Sequence, residues 1–151
     1  MIAPAVLLAL NLVQAPVACD WTVRPNGRFY VCAAPENKNA VVAFVCDESS
    51  KTIRQINFTI ITQKQGLSGR MSVKNSGKEV QIPMLGIRSG VNGFVSPQVP
   101  EALDAMMKLI EVAKGPLAAE PVETPNVVAV SFDGILIANA LKTATAACKG
   151  T

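Results

Sequence analysis

The sequence predicts an α+β fold: a mostly antiparallel β-sheet or sandwich, followed by a helix, a strand and a C-terminal helix packed on the sheet. Three observations predict it. Short apolar runs separated by turn residues fill the first part of the chain, which is typical of antiparallel strands. The hydrophobic period then changes to that of a helix near residue 100. A last strand and helix close the chain, and strands followed by helices favour the α+β class.

The length and composition suit one packed domain. The chain has 151 residues, of which 50% are hydrophobic and 17% are charged. Domains commonly run to roughly 100–200 residues, and this balance favours a buried core over disorder. No internal repeat is visible, so we expect residues 19–151 to form a single α+β domain.

Residues 1–18 are predicted to be a secretory signal peptide. The segment carries no charged side chain, and its apolar block at residues 2–10 is shorter than the roughly 20 residues that a membrane span needs. It matches the h-region of a signal peptide, although no Lys or Arg precedes it. Cleavage near Cys19 or Asp20 would leave a mature chain without a transmembrane span.

Two hairpins are predicted among the first strands. Asn26 and Gly27 separate "DWTVR" from "RFYVCAA", and the second hairpin turns around residues 75–77, with Met71 and Val73 on one arm. Val80 and Ile82 alternate on the other arm. Between the hairpins, a turn at 35–39 leads into "AVVAFVC", which is apolar throughout and predicts a strand buried on both faces. Residues 52–62 alternate as a half-buried strand, which "QGLSG" breaks.

Glycine and proline separate the later elements. Residues 86–97 are rich in glycine and predict a surface loop. A helix follows between Pro100 and Gly115, with an apolar stripe at Leu103, Met106, Met107, Ile110 and Ala113. The Pro-rich residues 117–125 predict a linker, and residues 126–132 a final strand. The strand count before the first helix is therefore about six.

The last helix is predicted to seal the core. Asp133 and Gly134 turn the final strand into it, with Gly134 providing a sharp reversal. Ile137, Leu141 and Cys148 fall on one helical face. Alanines at four further positions would allow the helix to approach the sheet closely: Ala138, Ala140, Ala144 and Ala147.

Several classes of function are disfavoured by residue type. The net charge of +3 arises from scattered side chains, whereas nucleic-acid binding needs a basic cluster. The chain has no histidine, which removes imidazole from nucleophile pairs and metal sites. Asp47 and Glu48 form the one adjacent carboxylate pair, which is interpreted as a solvated turn. We therefore expect no catalytic, cofactor-binding or metal-binding residues, and no enzyme.

The cysteines predict two disulfides in an oxidising compartment. Cys19, Cys32, Cys46 and Cys148 are too widely spaced for a CxxC pair. Four cysteines allow three connectivities, and spacing selects none of them. We expect Cys148 to join a strand cysteine, Cys46 rather than Cys32, and a Cys19–Cys32 pair would bridge strands around the first hairpin turn.

The chain resembles the invasion-associated locus B family of bacterial periplasmic proteins. The resemblance lies in the "DW-x-V" strand at residues 20–23, the strand "YVCAA", an "L-x-x-L/M" helix and the closing strand and helix. The matching residues of that ending are Ser131, Phe132, Gly134, Ile135, Ala138, Ala140 and Leu141. Asp133 stands where the family often has Lys, and its "C…GC" segment has no counterpart here. The resemblance implies an envelope protein linked to host-cell colonisation, without catalytic residues to carry over.

Two functional hypotheses follow. The first is a non-enzymatic periplasmic or secreted protein that binds a host or envelope component. The alternative is a small periplasmic inhibitor or chaperone-like module that acts on a protein partner through the loop at residues 86–96. An enzyme is a third hypothesis, which the missing histidine and the scattered acidic residues disfavour.

Overall fold

The structure, a computed structural model, describes residues 19–25, 27–35, 40–61, 70–86, 91–95, 100–122 and 129–150. Within them the chain forms nine strands and two helices. The strands are β1 (Asp20–Arg24), β2 (Gly27–Ala33), β3 (Ala40–Asp47), β4 (Thr52–Ile61), β5 (Arg70–Asn75), β6 (Lys78–Gly86), β7 (Val91–Val95), β8 (Pro116–Pro121) and β9 (Val130–Asp133). The helices are α1 (Pro100–Glu111) and α2 (Gly134–Lys149). The predicted α+β class is confirmed.

Two antiparallel sheets of four strands make up most of the β structure. β1-β2-β3-β4 forms the first sheet, and β6-β5-β8-β9 forms the second. β7 joins them, because it pairs with β4 on one side and with residues 84–86 of β6 on the other. The nine strands therefore hydrogen-bond in one continuous order.

The connected sheet folds over on itself. Phe58 on β4 and Phe132 on β9 lie five strand positions apart in that order, which in a flat sheet would separate them by about 24 Å. Their ring centroids are instead 6.0 Å apart, in an edge-to-face contact. Both helices contribute to the enclosed core, since α1 contacts β4 and β6 while α2 contacts β2, β3, β4 and β9. The largest fully buried side chains are Phe44, Phe58, Ile56, Met71, Ile82, Met106, Ile110, Leu117, Ile137, Val42 and Val45.

The predicted hairpin between β5 and β6 is confirmed. Asn75 pairs with Lys78, so Ser76 and Gly77 form a two-residue loop with φ of +49° and +82°. Both values are left-handed, as the tight turns that match strand twist require. Met71 and Val73 lie opposite Ile82 and Val80, respectively.

The first hairpin also forms, with its turn one residue earlier than predicted. Arg24 pairs with Gly27, so the turn lies before Gly27, and Asn26 is outside the described residues. Gly27 is the first residue of β2 and has φ of +137°. Residues 36–39 of the second predicted turn and the break at 65–69 also lie outside the described residues.

Two segments predicted to be irregular are strands. Val91–Val95 falls in the predicted surface loop, yet it forms β7 between β4 and β6. Pro116–Pro121 overlaps the predicted linker, yet it forms β8 between β5 and β9. Its two prolines stand at the strand ends, where proline is best tolerated. Seven strands therefore precede α1, instead of about six.

The predicted amphipathic helix corresponds to α1. Met106, Ile110 and Ala113 are buried, while Leu103 and Met107 are partly buried against the core. The predicted stripe did not include Leu109, which is also buried. The helix ends at Glu111, four residues before the predicted stop at Gly115, and Gly115, with φ of +63°, lies in the connection to β8.

The last helix begins directly after β9. Asp133 caps it, because its Oδ1 accepts hydrogen bonds from the backbone N–H groups of Ile135 (3.0 Å) and Leu136 (3.2 Å). Ile137, Leu141 and Cys148 are buried, as predicted. The strand turns into the helix at Asp133 and Gly134, as predicted, but Gly134 does not adopt a positive φ; the constraint that acts there is the close approach of another chain segment.

A buried amide anchors the chain between α1 and β8. The Asn75 side chain, which is 4% exposed, donates to the carbonyl oxygens of Lys114 (2.7 Å) and Pro116 (2.9 Å). Its Oδ1 accepts from the Lys114 backbone N–H at 3.2 Å. These bonds satisfy the Asn75 amide, which would otherwise be buried without partners, and they hold Gly115 in place.

Candidate binding surface

The four cysteines form two disulfides, as predicted. Cys46 on β3 is joined to Cys148 near the end of α2, with a Cα–Cα distance of 5.7 Å. Cys19 is joined to Cys32 on β2, with a Cα–Cα distance of 4.3 Å. The first bond attaches the last helix to the first sheet, and the second bridges neighbouring chain segments at the edge of that sheet. Two such bonds indicate that the protein folds in an oxidising environment.

The Asp47 carboxylate builds a turn. Its Oδ1 accepts hydrogen bonds from the Ser49 hydroxyl (2.7 Å) and the Ser49 backbone N–H (2.9 Å). These bonds from Ser49 lower the pKa of Asp47 below its ordinary value. Asp47 thus organises the connection from β3 to β4. Among the described residues, no group of three or more acidic, cysteine or histidine side chains could hold a metal ion.

The outer face of the first sheet is apolar. Val42, Phe44 and Cys46 of β3 point toward α2 and are buried, so the alternate residues of β3 and of its neighbours point away. The strand register brings nine of these outward residues together: Phe29, Val31 and Ala33 on β2; Val41, Ala43 and Val45 on β3; and Gln55, Asn57 and Thr59 on β4. We call this set the outer face.

The burial of β3 differs from the burial predicted from its sequence. "AVVAFVC" predicted burial on both sides, which holds at Val45, 0% exposed, whereas Val41 and Ala43 are only half-buried. Both described helices lie against the opposite side of the sheet. Val31 and Phe29 are likewise half-buried and do not belong to the core cluster. The apolar run therefore supplies the core on one side and an apolar surface on the other.

The second sheet presents a polar face to solvent. Ser72 donates a short hydrogen bond to the Glu79 carboxylate, which lowers the pKa of Glu79. Lys74 and Glu120 form an ion pair at 3.2 Å. The nine residues of the outer face on β2, β3 and β4 include no charged side chain, although Asp20, Arg24 and Asp47 lie on the same side at the edges of the sheet. Of the two sheet surfaces, the first is therefore the one suited to burial against another molecule.

One polar atom of the outer face lacks a hydrogen bond. Asn57 Oδ1 is buried and has no hydrogen-bond partner among the described residues. Asn57 lies directly opposite Ala43, so its amide borders the apolar part of the outer face. Leaving a buried acceptor unpaired costs about 1–3 kcal/mol.

Part of the loop that was predicted as the contact surface for the alternative function is a strand. Residues 91–95 form β7, whose backbone pairs with strands on both sides. Residues 87–90 and 96 lie outside the described residues. Among the described residues, no helix is long and apolar enough to cross a bilayer.

The sequence contained one signal for the outer face. Polar residues alternate along β4 at Gln55, Asn57 and Thr59, and they show which side of the sheet faces outward.

Comparisons with protein-family models, curated proteins and solved structures find no match to this chain. Function is therefore inferred from the geometry and the chemistry of its residues.

Proposed function

We propose that this chain is a non-enzymatic periplasmic or secreted protein that binds a protein or other component of the envelope or host through the outer face of its first sheet. The observation that carries the proposal is the uncharged, largely apolar patch on β2, β3 and β4, in contrast to the charged surface of the second sheet. The resemblance to the invasion-associated locus B family supports the same compartment and role.

The chemistry of the outer face favours a protein partner. Phe29, Val31 and Val41 offer apolar area whose removal from water would stabilise a complex by about 25 cal/mol per Å². Gln55, Asn57 and Thr59 border this area with groups that donate or accept hydrogen bonds. An apolar centre with an uncharged polar border is typical of protein interfaces.

A charge placed on the outer face should abolish binding. In Val31→Lys, an ammonium group would have to be desolvated in the complex, while the free protein could extend it into water because Val31 is only half-buried. We expect the immobilised variant to lose the envelope protein that the unmodified chain captures. Gln81→Lys adds the same charge to the exposed, polar face of β6 and should capture it normally.

Equal capture by the two variants would contradict the assignment of the surface, provided that their melting temperatures agree with that of the unmodified protein. Turnover of esters, peptides or glycans by purified protein would contradict the non-enzymatic role.

Export predicts a shortened N-terminus. Protein recovered from the periplasm or the medium should begin near Cys19 or Asp20, because the uncharged residues 1–18 would be removed by signal peptidase. Intact-mass measurement and N-terminal sequencing test this. Recovery of all the protein from the cytosol with Met1 in place would contradict export.

A further inference from the structure

A second surface lies between the two helices, on the other side of the first sheet. A groove of about 450 Å³ opens where the end of α1 meets the second half of α2. It is lined by Glu111, Leu141, Lys142, Thr145, Ala146 and Lys149. We call it the helix groove.

The bottom of the helix groove is apolar. Leu141 lies at its base but is only 2% exposed and belongs to the core, so the apolar surface open to a ligand is that of Ala146 and of the aliphatic stems of Lys142 and Lys149. The Thr145 hydroxyl donates to the Leu141 carbonyl oxygen at 2.7 Å, so its hydrogen is already used within the helix. The groove therefore favours the apolar part of a ligand over a polar one.

Two ammonium groups border this apolar surface. Lys142 and Lys149 are seven residues apart on α2, which places them about 10.5 Å apart along the helix and on one side of it. Both are exposed, and neither forms an ion pair within the described part of the chain. Helix α2 contains no acidic residue, so Glu111 of α1 is the single carboxylate in the lining. The border carries a net positive charge.

We propose that the helix groove binds one single-chain amphiphile with a long alkyl chain and a carboxylate head group. The alkyl chain would lie over Leu141 and Ala146, and the carboxylate would pair with Lys142 or Lys149, away from Glu111. The volume lies in the range of roughly 300–1,000 Å³ that is usual for small-molecule sites.

Isothermal titration calorimetry with dodecanoate below its micelle concentration tests the proposal. We expect saturable binding at one site, and at least about tenfold weaker binding of dodecyl maltoside, which has the same chain and no charge. Lys142→Met with Lys149→Met retains the aliphatic stems but removes both charges, and should weaken dodecanoate binding about tenfold. Lys78→Met, on the distant β5–β6 hairpin, is the matched control and should bind normally.

A second variant tests the groove itself. Ala146 is exposed, so Ala146→Phe can fill the space without entering the core, and it should abolish binding of both amphiphiles at an unchanged melting temperature. Undiminished dodecanoate binding to folded Ala146→Phe would overturn the site, and equal affinity for dodecyl maltoside would overturn the role of the lysines. Binding to anionic vesicles without binding of monomeric dodecanoate would also overturn the proposal. None of these outcomes bears on the outer face, which Val31→Lys tests separately.

Discussion

Replacing Cys46 and Cys148 together by alanine is expected to lower the melting temperature by roughly 10–15 °C. This disulfide closes a loop with a sequence separation of 102. In the chain-entropy model, a bridge that closes about 100 residues restricts the unfolded chain by about 4.7 kcal/mol. That is a large part of the roughly 5–15 kcal/mol that stabilises a typical domain. Thermal unfolding followed by circular dichroism measures the effect.

The second disulfide provides the matched control. Cys19 and Cys32 have a sequence separation of 13, and the same model gives their bond about 2 kcal/mol less stabilisation than the long-range bond. The Cys19→Ala/Cys32→Ala variant should therefore unfold at a higher temperature than the Cys46→Ala/Cys148→Ala variant. The reverse order would contradict the long-loop explanation. Four alkylated cysteines in native exported protein would contradict both disulfides.

The two ends of α2 are stabilised in different ways: the Asp133 cap stabilises its first turn, and the Cys46–Cys148 bond stabilises its last turn. Asp133 satisfies two backbone N–H groups in the first turn of α2, whereas the bond holds the last turn against β3. Loss of the bond should therefore loosen the C-terminal end of the helix before its N-terminal end. The helix groove includes Thr145, Ala146 and Lys149 of that end, so dodecanoate binding should weaken along with stability.

Elements defined by local patterns could be predicted from the sequence. The left-handed pair Ser76–Gly77 and the alternating residues on each side determine the β5–β6 hairpin. The repeat of Met106 and Ile110 determines the buried stripe of α1. In each case the residues that decide the structure lie within about ten positions of one another, so they can be recognised in a short window of sequence.

The two missed strands depend on distant partners. β7 contains a glycine and an asparagine, which have low strand propensity, but it lies between β4 and β6 and pairs with both. β8 contains prolines and alanines, yet Leu117 and Ala119 are buried and the strand lies between β5 and β9. Burial and pairing outweigh propensity in both strands, and neither partner is visible from the local sequence.

The outer face could not be assigned from the sequence of β3, because that assignment also depends on distant parts of the chain. The sequence of β3 is apolar on both sides, so β3 alone does not show which side becomes the core, and the one local signal is the alternation of polar residues along β4. An irregularity adds to the difficulty: Val45 pairs with Gln55 while Cys46 pairs with Ile53, so β4 has one extra residue there. Such a bulge interrupts the alternation from which a face is assigned.

The helix groove could not be predicted from the sequence either. Lys142 and Lys149 look like ordinary surface residues of an amphipathic helix, and Ala146 like a position chosen for helix propensity. Their significance arises because the end of α1 lies beside them and leaves space above Leu141. That arrangement depends on the packing of two helices whose connection includes β8 and β9.

Gly134→Ala is expected to destabilise the protein by about 2 kcal/mol, although alanine is the better helix former. Helix propensity alone would make the substitution stabilising by about 1 kcal/mol. The backbone N–H of Gly134 donates to the Gly115 carbonyl oxygen at 2.8 Å, and a Cβ on Gly134 would stand 2.3 Å from that same oxygen. The Asn75 side chain and the Ala113 methyl group would lie 3.3 and 3.4 Å away.

This collision cannot be relieved by rotating a side chain, because the nearest atom belongs to the backbone. Gly115 is itself held by the hydrogen bonds from Asn75 to Lys114 and Pro116. The start of α2 would have to shift, which would weaken the cap from Asp133. Forced overpacking costs about 1–3 kcal/mol and occasionally more, enough to reverse the gain in propensity.

Gly150→Ala, at the other end of the same helix, is the matched control. A Cβ there would lie 3.6 Å from the nearest atom, the Ala146 carbonyl oxygen, which is an ordinary contact. Gly150 has φ of −79°, a value that alanine adopts readily. Chemical denaturation should therefore show Gly150→Ala within about 0.5 kcal/mol of the unmodified protein and Gly134→Ala well below it. A Gly134→Ala variant that is equally or more stable would show that helix propensity outweighs the close approach of Gly115.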